Sequence, residues 1–356
     1  MTSRTPAIPA PRKSVAGMKP YLPGEQPADP AIIKLNTNEN PYPPAPGVTR
    51  ALHALTEARL RKYPDPVCRR LREAVGGSLG LAAESIIVTN GSDEILKMAV
   101  EAYVGPGDSV GYLWPTYSLY PVFVEEAGAK EVRLPWKEGG PSQEEVLLDA
   151  PRDLRLLYIT NPNPPIGLPV DLAVTRRVAK ERPETLVVVD EAYIAYGGES
   201  AVALVREGLP NVLVTRTFSK SHSLAGMRVG LGLAVPELMD VLYRVKDSYN
   251  VNVAAQEAAL ASWTDAEHTR EVVECVCRTR AWTRERLVAL GFDVPESQGN
   301  FLFARRADAA ELFQRLRGKK ILVRYFDTPE LRGGLRITIG TDEEMRALVG
   351  ALESAE

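Results

Sequence analysis

The sequence is poor in the features that mark several common kinds of protein. Only Cys68, Cys275 and Cys277 occur in its 356 residues, too few for a disulfide framework in a chain of this length. Cys275 and Cys277 lie in "REVVECVCRTRAWTRERL", which reads as helix, and side chains two residues apart on a helix point to nearly opposite faces. His53, His222 and His268 have no metal-ligand spacing either, so no metal site is expected. Long apolar runs are missing: stretches such as "LVVVD" and "VLVT" are strand-sized, far short of the roughly 20 residues of a membrane span. A net charge of -3, with lysines and arginines scattered among acids, provides no broad positive field for nucleic acid. The proline-rich first thirty residues hold no apolar signal-peptide core. The expectation is a cytoplasmic protein whose partners are small molecules.

What is present has the texture of an α/β enzyme. With 45% apolar and 25% charged residues, the chain can bury a large core, and its length suits two domains. The proline-rich start reads as an extended arm. After it, apolar β-branched runs alternate with helical ones: "SIIVTN" then "DEILKMAVEAYV", "DSVGYLW" then "YPVFVEEAG", "RLLYITN" then "DLAVTRRVAKE", then "LVVVDEAY" and "NVLVTRTFSK". Strands without polar alternation belong to a mainly parallel sheet covered on both faces. From about Asn252 a long helical stretch precedes "NFLFAR", "ILVRYF" and "GLRITIG", the pattern of a smaller α+β module. The expected organisation is an arm at 1–40, a large three-layer α/β domain at 41–250 and a small domain at 251–356.

Open α/β sheets bind ligands at the carboxyl ends of their strands, and four strand ends carry unusual polar sets. "IIVTNGSDE" ends in Gly91, Ser92 and Asp93 and enters a helix, where free N–H groups suit a phosphate or Ser92 and Asp93 act as plain caps. "LYITNPNPPIG" sets Asn161 and Asn163 among prolines just past a buried strand, which makes either a stiff ligand-facing loop or a structural turn. "LVVVDEAYIAYG" places Asp190 at the end of an apolar strand, where a carboxylate needs a cationic or donor partner.

The fourth is "TRTFSKSHSLAGMRVG", in which Lys220 follows Thr217 and Ser219, and Arg228 lies eight residues on. A partly desolvated lysine near other cations has a lowered pKa and is available as an amine nucleophile. The hydroxyls and Arg228 would hold a phosphate. Pyridoxal 5'-phosphate, with its phosphate, ring nitrogen and aldehyde, asks for this set of groups: Lys220 for the aldehyde, Asp190 for the pyridinium nitrogen, Asn161 and Tyr193 for the ring oxygen.

The chain resembles the fold-type I aminotransferases, and within them the histidinol-phosphate aminotransferase family. The matching pieces are "KPY", "LNTNENPYPP", "RKYPDP", "NGSDE", "PTYSLY", "NPNPPIG", "DEAY", "RTFSKSHSLAGMRVG", "NFLFAR", "ILVR" and "LRITIG", which together span nearly the whole chain. The resemblance implies that Lys220 is the Schiff-base lysine, that Asp190 pairs with the pyridinium, and that the Tyr117 ring stacks on the cofactor. It implies phosphate binding by Ser92, Asp93, Thr217, Ser219 and Arg228, completed by Tyr63 from a second subunit, hence a homodimer with shared sites. Arg336 then grips the substrate α-carboxylate, while Tyr21 and Arg324 line the distal end of the pocket, where a substrate phosphate sits. The asparagines of "LNTNENPYPP" are expected to be structural.

One departure stands out. The family usually reads N-P-x-N-P-T-G where this chain has "NPNPPIG", so Pro164 replaces an asparagine and Ile166 a threonine. The implied reaction is ping-pong transfer from L-histidinol phosphate to 2-oxoglutarate. An aromatic amino-acid aminotransferase and a threonine-phosphate decarboxylase are the rivals within the same machinery. A nucleotide-binding module is disfavoured, because neither G-x-G-x-x-G nor G-x-x-x-x-G-K-[ST] occurs.

Overall fold

The structure, a computed structural model, describes residues 9–21 and 23–353. Its strands are β1 (Ile33–Leu35), β2 (Ile86–Thr89), β3 (Ser109–Trp114), β4 (Lys130–Pro135), β5 (Leu154–Thr160), β6 (Leu186–Asp190), β7 (Val212–Thr217), β8 (Gly230–Leu233), β9 (Phe301–Arg305), β10 (Ile321–Tyr325) and β11 (Gly334–Thr338). Seven of them form one sheet in the order β2-β8-β7-β6-β5-β3-β4. The five from β3 to β7 are parallel, and β8 is antiparallel to both of its neighbours.

The apolar runs are continuous because both faces of this sheet are covered. Along β6, Val187 and Val189 enter one apolar cluster while Leu186 and Val188 enter another on the opposite face. Each such side chain contributes about 1.5–3 kcal/mol relative to exposure. The edge strand β4 differs: Lys130, Glu131 and Arg133 are charged and mostly exposed, which discourages pairing with a further strand.

A second sheet, β1-β10-β11-β9, has its own cluster around Leu35, Phe301, Ile321 and Ile337. The helices Ala266–Ala289, Ala309–Gly318 and Asp342–Glu353 supply Val276, Leu312 and Met345 to that cluster. Two stretches lie across the divisions expected from sequence. Ile33–Leu35, within the stretch read as arm, is the edge strand β1 and pairs in parallel with β10, Ile33 opposite Ile321. The helix Val253–Thr264, within the stretch read as the small domain, buries Ala255, Ala258 and Ala259 in the core of the larger sheet. The long helical stretch is also broken at Asp265, which caps the following helix by accepting from the His268 N–H at 3.2 Å. The described part of the arm lies on its own chain: Ser14 Oγ donates to the Glu126 carbonyl at 2.9 Å. No helix among the described residues is long and apolar enough to cross a membrane.

Candidate active site

The carboxyl ends of β5, β6 and β7 open into a cavity of about 370 Å³. Nine residues picked from the sequence share its wall: Ser92, Asp93, Tyr117, Asp190, Tyr193, Thr217, Ser219, Lys220 and Arg228. They come from four separate segments, each delivered by the end of a strand or the start of a helix.

Lys220 follows β7, and its Nζ donates to the Thr37 carbonyl at 3.2 Å. The amine lies 5.8 Å from the centre of the Tyr193 ring. Burial, reinforced by the Arg336 guanidinium, lowers its pKa to about 8, so part of the population is the free amine near neutrality.

Asp190 ends β6 and is buried. It accepts from Tyr120 Oη at 2.9 Å, from the Ala192 N–H at 3.2 Å and from Thr215 Oγ1 at 3.3 Å. These donors do not offset burial, which raises the carboxyl to about 6. Its hydrogen-bond partners include no cation, so a cationic group entering the cavity would relieve the desolvated charge. Tyr120 is itself held by stacking on Tyr158, with ring centres 4.2 Å apart. Tyr117 meets Tyr120 edge-on at 5.6 Å and donates from its hydroxyl to Asp93 at 3.1 Å, presenting a ring to the cavity.

The anion end forms where the helix Ser92–Tyr103 begins. Arg228 donates to Ser219 Oγ at 3.2 Å and to Asp93 at 3.4 Å, and its backbone is left-handed, with φ of 53°. A non-glycine residue held in that region is uncommon and carries backbone strain. Gly91 has φ of 87°, and a Cβ there would fall 2.7 Å from the Arg228 guanidinium. Only glycine therefore permits both the turn and the arginine.

Other expected residues lie elsewhere. Asn161, assigned to both cofactor and substrate, is off the cavity wall: its Nδ2 donates to the Glu199 carbonyl at 3.1 Å and its Oδ1 accepts from the Val170 N–H at 3.0 Å. Both ends of the amide are engaged in bracing loops. In the same loop Pro164 reaches the wall and Ile166 packs into the core. The departure from the family pattern thus puts an apolar surface into the cavity. Tyr63 is 81% exposed and stacks on Tyr249, away from its own chain's cavity wall. Arg324 and Arg336 are directly opposed Cα partners across β10 and β11, and neither is among the residues lining this cavity. Tyr21 is partly exposed, near enough to Arg336 and Tyr117 to act on both electrostatically.

Sequence reasoning missed Thr37, Glu39, Thr160 and Ala192 on the wall and Tyr120 behind it. The asparagines of "LNTNENPYPP" brace site residues, Asn38 donating to the Tyr193 hydroxyl and Asn40 to the Lys220 carbonyl, each at 3.0 Å. The density of amides around Glu39 was the available signal.

The family model for aminotransferase class I and II matches residues 30–352. The chain belongs to this family. Histidinol-phosphate aminotransferases of Geotalea uraniireducens and Geotalea daltonii are 42% identical to it over 346 residues, 96% of this chain and 98% of theirs. The crystal structure of histidinol-phosphate aminotransferase from Sinorhizobium meliloti in complex with pyridoxal-5'-phosphate matches with a TM-score of 0.84 at 26% identity, over 91% of this chain and 92% of that one. A Thermus thermophilus aspartate aminotransferase variant, 23% identical with a TM-score of 0.81, shares the fold. As an aminotransferase, the chain is an enzyme acting on amino and oxo substrates, and the cavity at β5 to β7 is where its lowered-pKa amine lies.

Proposed function

We propose that this aminotransferase takes L-histidinol phosphate and 2-oxoglutarate to imidazole acetol phosphate and L-glutamate, with pyridoxal 5'-phosphate held in the cavity described above. The observation that carries the site assignment is that an amine of lowered pKa and a buried carboxylate without a cation share one cavity. The near-full-length similarity to histidinol-phosphate aminotransferases supports the choice of donor.

The residues present fit the cofactor. Lys220 would carry its aldehyde, Asp190 would gain in the ring nitrogen the cation its burial calls for, and Tyr117 would stack on the ring. Ser92, Thr217, Ser219 and Arg228 would take the phosphate. Tyr193 stands beside the amine and would be a donor for the ring oxygen. When bound, the cofactor supplies a carbonyl for the donor nitrogen and a cationic ring that draws electrons from the donor Cα. Lys220 Nζ, as the free amine, would take the proton from the donor Cα and hold it for return. Its pKa of about 8 lets it serve as base and then acid near neutral pH.

Substrate chemistry sharpens the role of the arginines. Histidinol phosphate bears on Cα a phosphorylated CH2O group where glutamate bears its α-carboxylate, so one anion site can serve both. Opposed like charges on adjacent strands are unfavourable without an anion between them. Arg336 Nη2 donates to the Asn36 carbonyl at 2.6 Å, while its buried Nε has no partner among the described residues. This supports Arg324 and Arg336, with Tyr21 nearby, as a single site for either anion. For assembly, the exposed apolar group of Leu60, Tyr63 and Tyr249 supports a two-fold homodimer in which Tyr63 reaches the partner's phosphate end.

Turnover of histidinol phosphate, phenylalanine and threonine phosphate with 2-oxoglutarate tests the reading. Histidinol phosphate is expected to lead in kcat/KM by at least about tenfold. A lead for phenylalanine would favour an aromatic aminotransferase, and carbon dioxide from threonine phosphate a decarboxylase.

A further inference from the structure

We infer that Glu39 sets donor specificity by receiving the imidazole ring, an inference that rests on the donor proposed above. The segment that continues from β1 carries three contacts in order. Arg336 Nη2 donates to the Asn36 carbonyl at 2.6 Å, Lys220 Nζ donates to the Thr37 carbonyl at 3.2 Å, and Glu39 then lines the cavity. Along residues 36–39 the sequence of groups is therefore guanidinium, amine, carboxylate. Histidinol phosphate presents phosphate, reacting carbon and imidazole in the same order. The two series are complementary at each end.

The cavity wall holds three acidic residues, Glu39, Asp93 and Asp190, and among the described residues only Glu39 has an oxygen that accepts from no donor. Asp93 accepts from Tyr117 on one oxygen and from Arg228 on the other. Asp190 accepts from Ala192 and Thr215 on Oδ1 and from Tyr120 on Oδ2. Glu39 binds Lys34 through Oε2, and its Oε1 has no partner among the described residues. Its side chain is 42% exposed, so it meets a ligand without a large prior desolvation. An imidazole N–H donates to Oε1, more strongly when the ring is protonated. A phenyl ring offers no donor and would cover Oε1 without pairing it, the kind of mismatch by which polar sites reject apolar analogues. Pro164 supplies apolar wall in the same cavity, which suits the carbon face of either ring and leaves discrimination to the carboxylate.

The test compares Glu39→Ala, Glu39→Gln and wild type as holoenzymes, each with histidinol phosphate and with phenylalanine, 2-oxoglutarate being the acceptor. In Glu39→Ala the ratio of kcat/KM for histidinol phosphate over that for phenylalanine is expected to fall about 10- to 100-fold, the size of a lost hydrogen bond to a charged group, chiefly through KM for histidinol phosphate. Glu39→Gln, which keeps an accepting oxygen without the charge, is expected to lie between. Lys34→Met, which removes the ion pair and leaves the carboxylate, should keep the wild-type ratio. If Glu39→Ala lowers both donors equally or leaves the ratio unchanged, or if Lys34→Met moves the ratio as far as Glu39→Ala does, the inference is overturned and Glu39 only anchors its segment. Wild-type enzyme that does not turn over histidinol phosphate would instead overturn the functional reading, and this inference with it.

Discussion

Arg228 and Arg336 approach the site from the two different sheets, and their surroundings differ sharply. Arg228, just before β8, is half exposed and already engaged by Ser219, Asp93 and the Ala225 carbonyl. Arg336, on β11, is packed over Phe301 and Phe326, faces Arg324 across the ladder and keeps a buried Nε without a partner among the described residues. Exposed ion pairs contribute little and exchange readily, whereas a buried guanidinium with an orphan donor pays its desolvation in full until an anion arrives. The first environment suits a phosphate that stays bound through the cycle with help from several weak contacts. The second suits a substrate anion that must be seized anew at each half-reaction.

Substitutions at the two arginines should therefore separate cleanly. Arg336→Ala is expected to lower kcat/KM for histidinol phosphate and for 2-oxoglutarate alike, by about a hundredfold or more, as for a buried charged hydrogen-bonding group. Steady-state kinetics of both half-reactions checks this, and a loss confined to one substrate would break the single-anion-site reading. Arg336→Lys should recover only a small part, because an ammonium cannot make the forked contact. Arg228→Ala is expected to weaken cofactor binding by about tenfold, read by spectroscopic titration, with substrate KM nearly unchanged once the cofactor saturates.

Asp190 extends the comparison to a buried anion. Its folded pKa is raised to about 6, above the value of an exposed carboxyl, so in cofactor-free protein its contribution favours folding below about pH 4 and is lost as pH rises through 6. Asp190→Asn without cofactor should thus melt no lower than wild type at pH 8, while with cofactor it should melt lower. Calorimetric scans of both forms give the answer. The smallest expected effect is on cofactor capture: its rate should rise as pH increases through about 8, where Lys220 loses its proton, and level off above.

The parts of the molecule legible in the sequence are those governed by local pattern. β5, β6 and β7 announce themselves as apolar runs because both faces are buried, and the polar residues at or just past their ends, Asp190, Thr217, Ser219 and Lys220, fall on the cavity wall. What local pattern does not carry is register and hydrogen-bond allocation. β1 is three residues long and makes sense only beside β10. The adjacency of Arg324 and Arg336 depends on how β10 and β11 align. Asn161 looked like a ligand because it follows a strand, yet both ends of its amide brace neighbouring loops, at Glu199 and Val170. Tyr120 opens the helical run "YPVFVEEAG", and no local pattern shows that its hydroxyl is a partner of Asp190.

Borohydride reduction of the holoenzyme followed by peptide mapping addresses the heart of the mechanism most directly. The reduced cofactor is expected on the peptide bearing Lys220, and Lys220→Ala is expected to lack both the label and transaminase turnover. A label on another lysine, or turnover that survives in Lys220→Ala, would contradict the assignment of this amine as the cofactor's anchor and proton carrier.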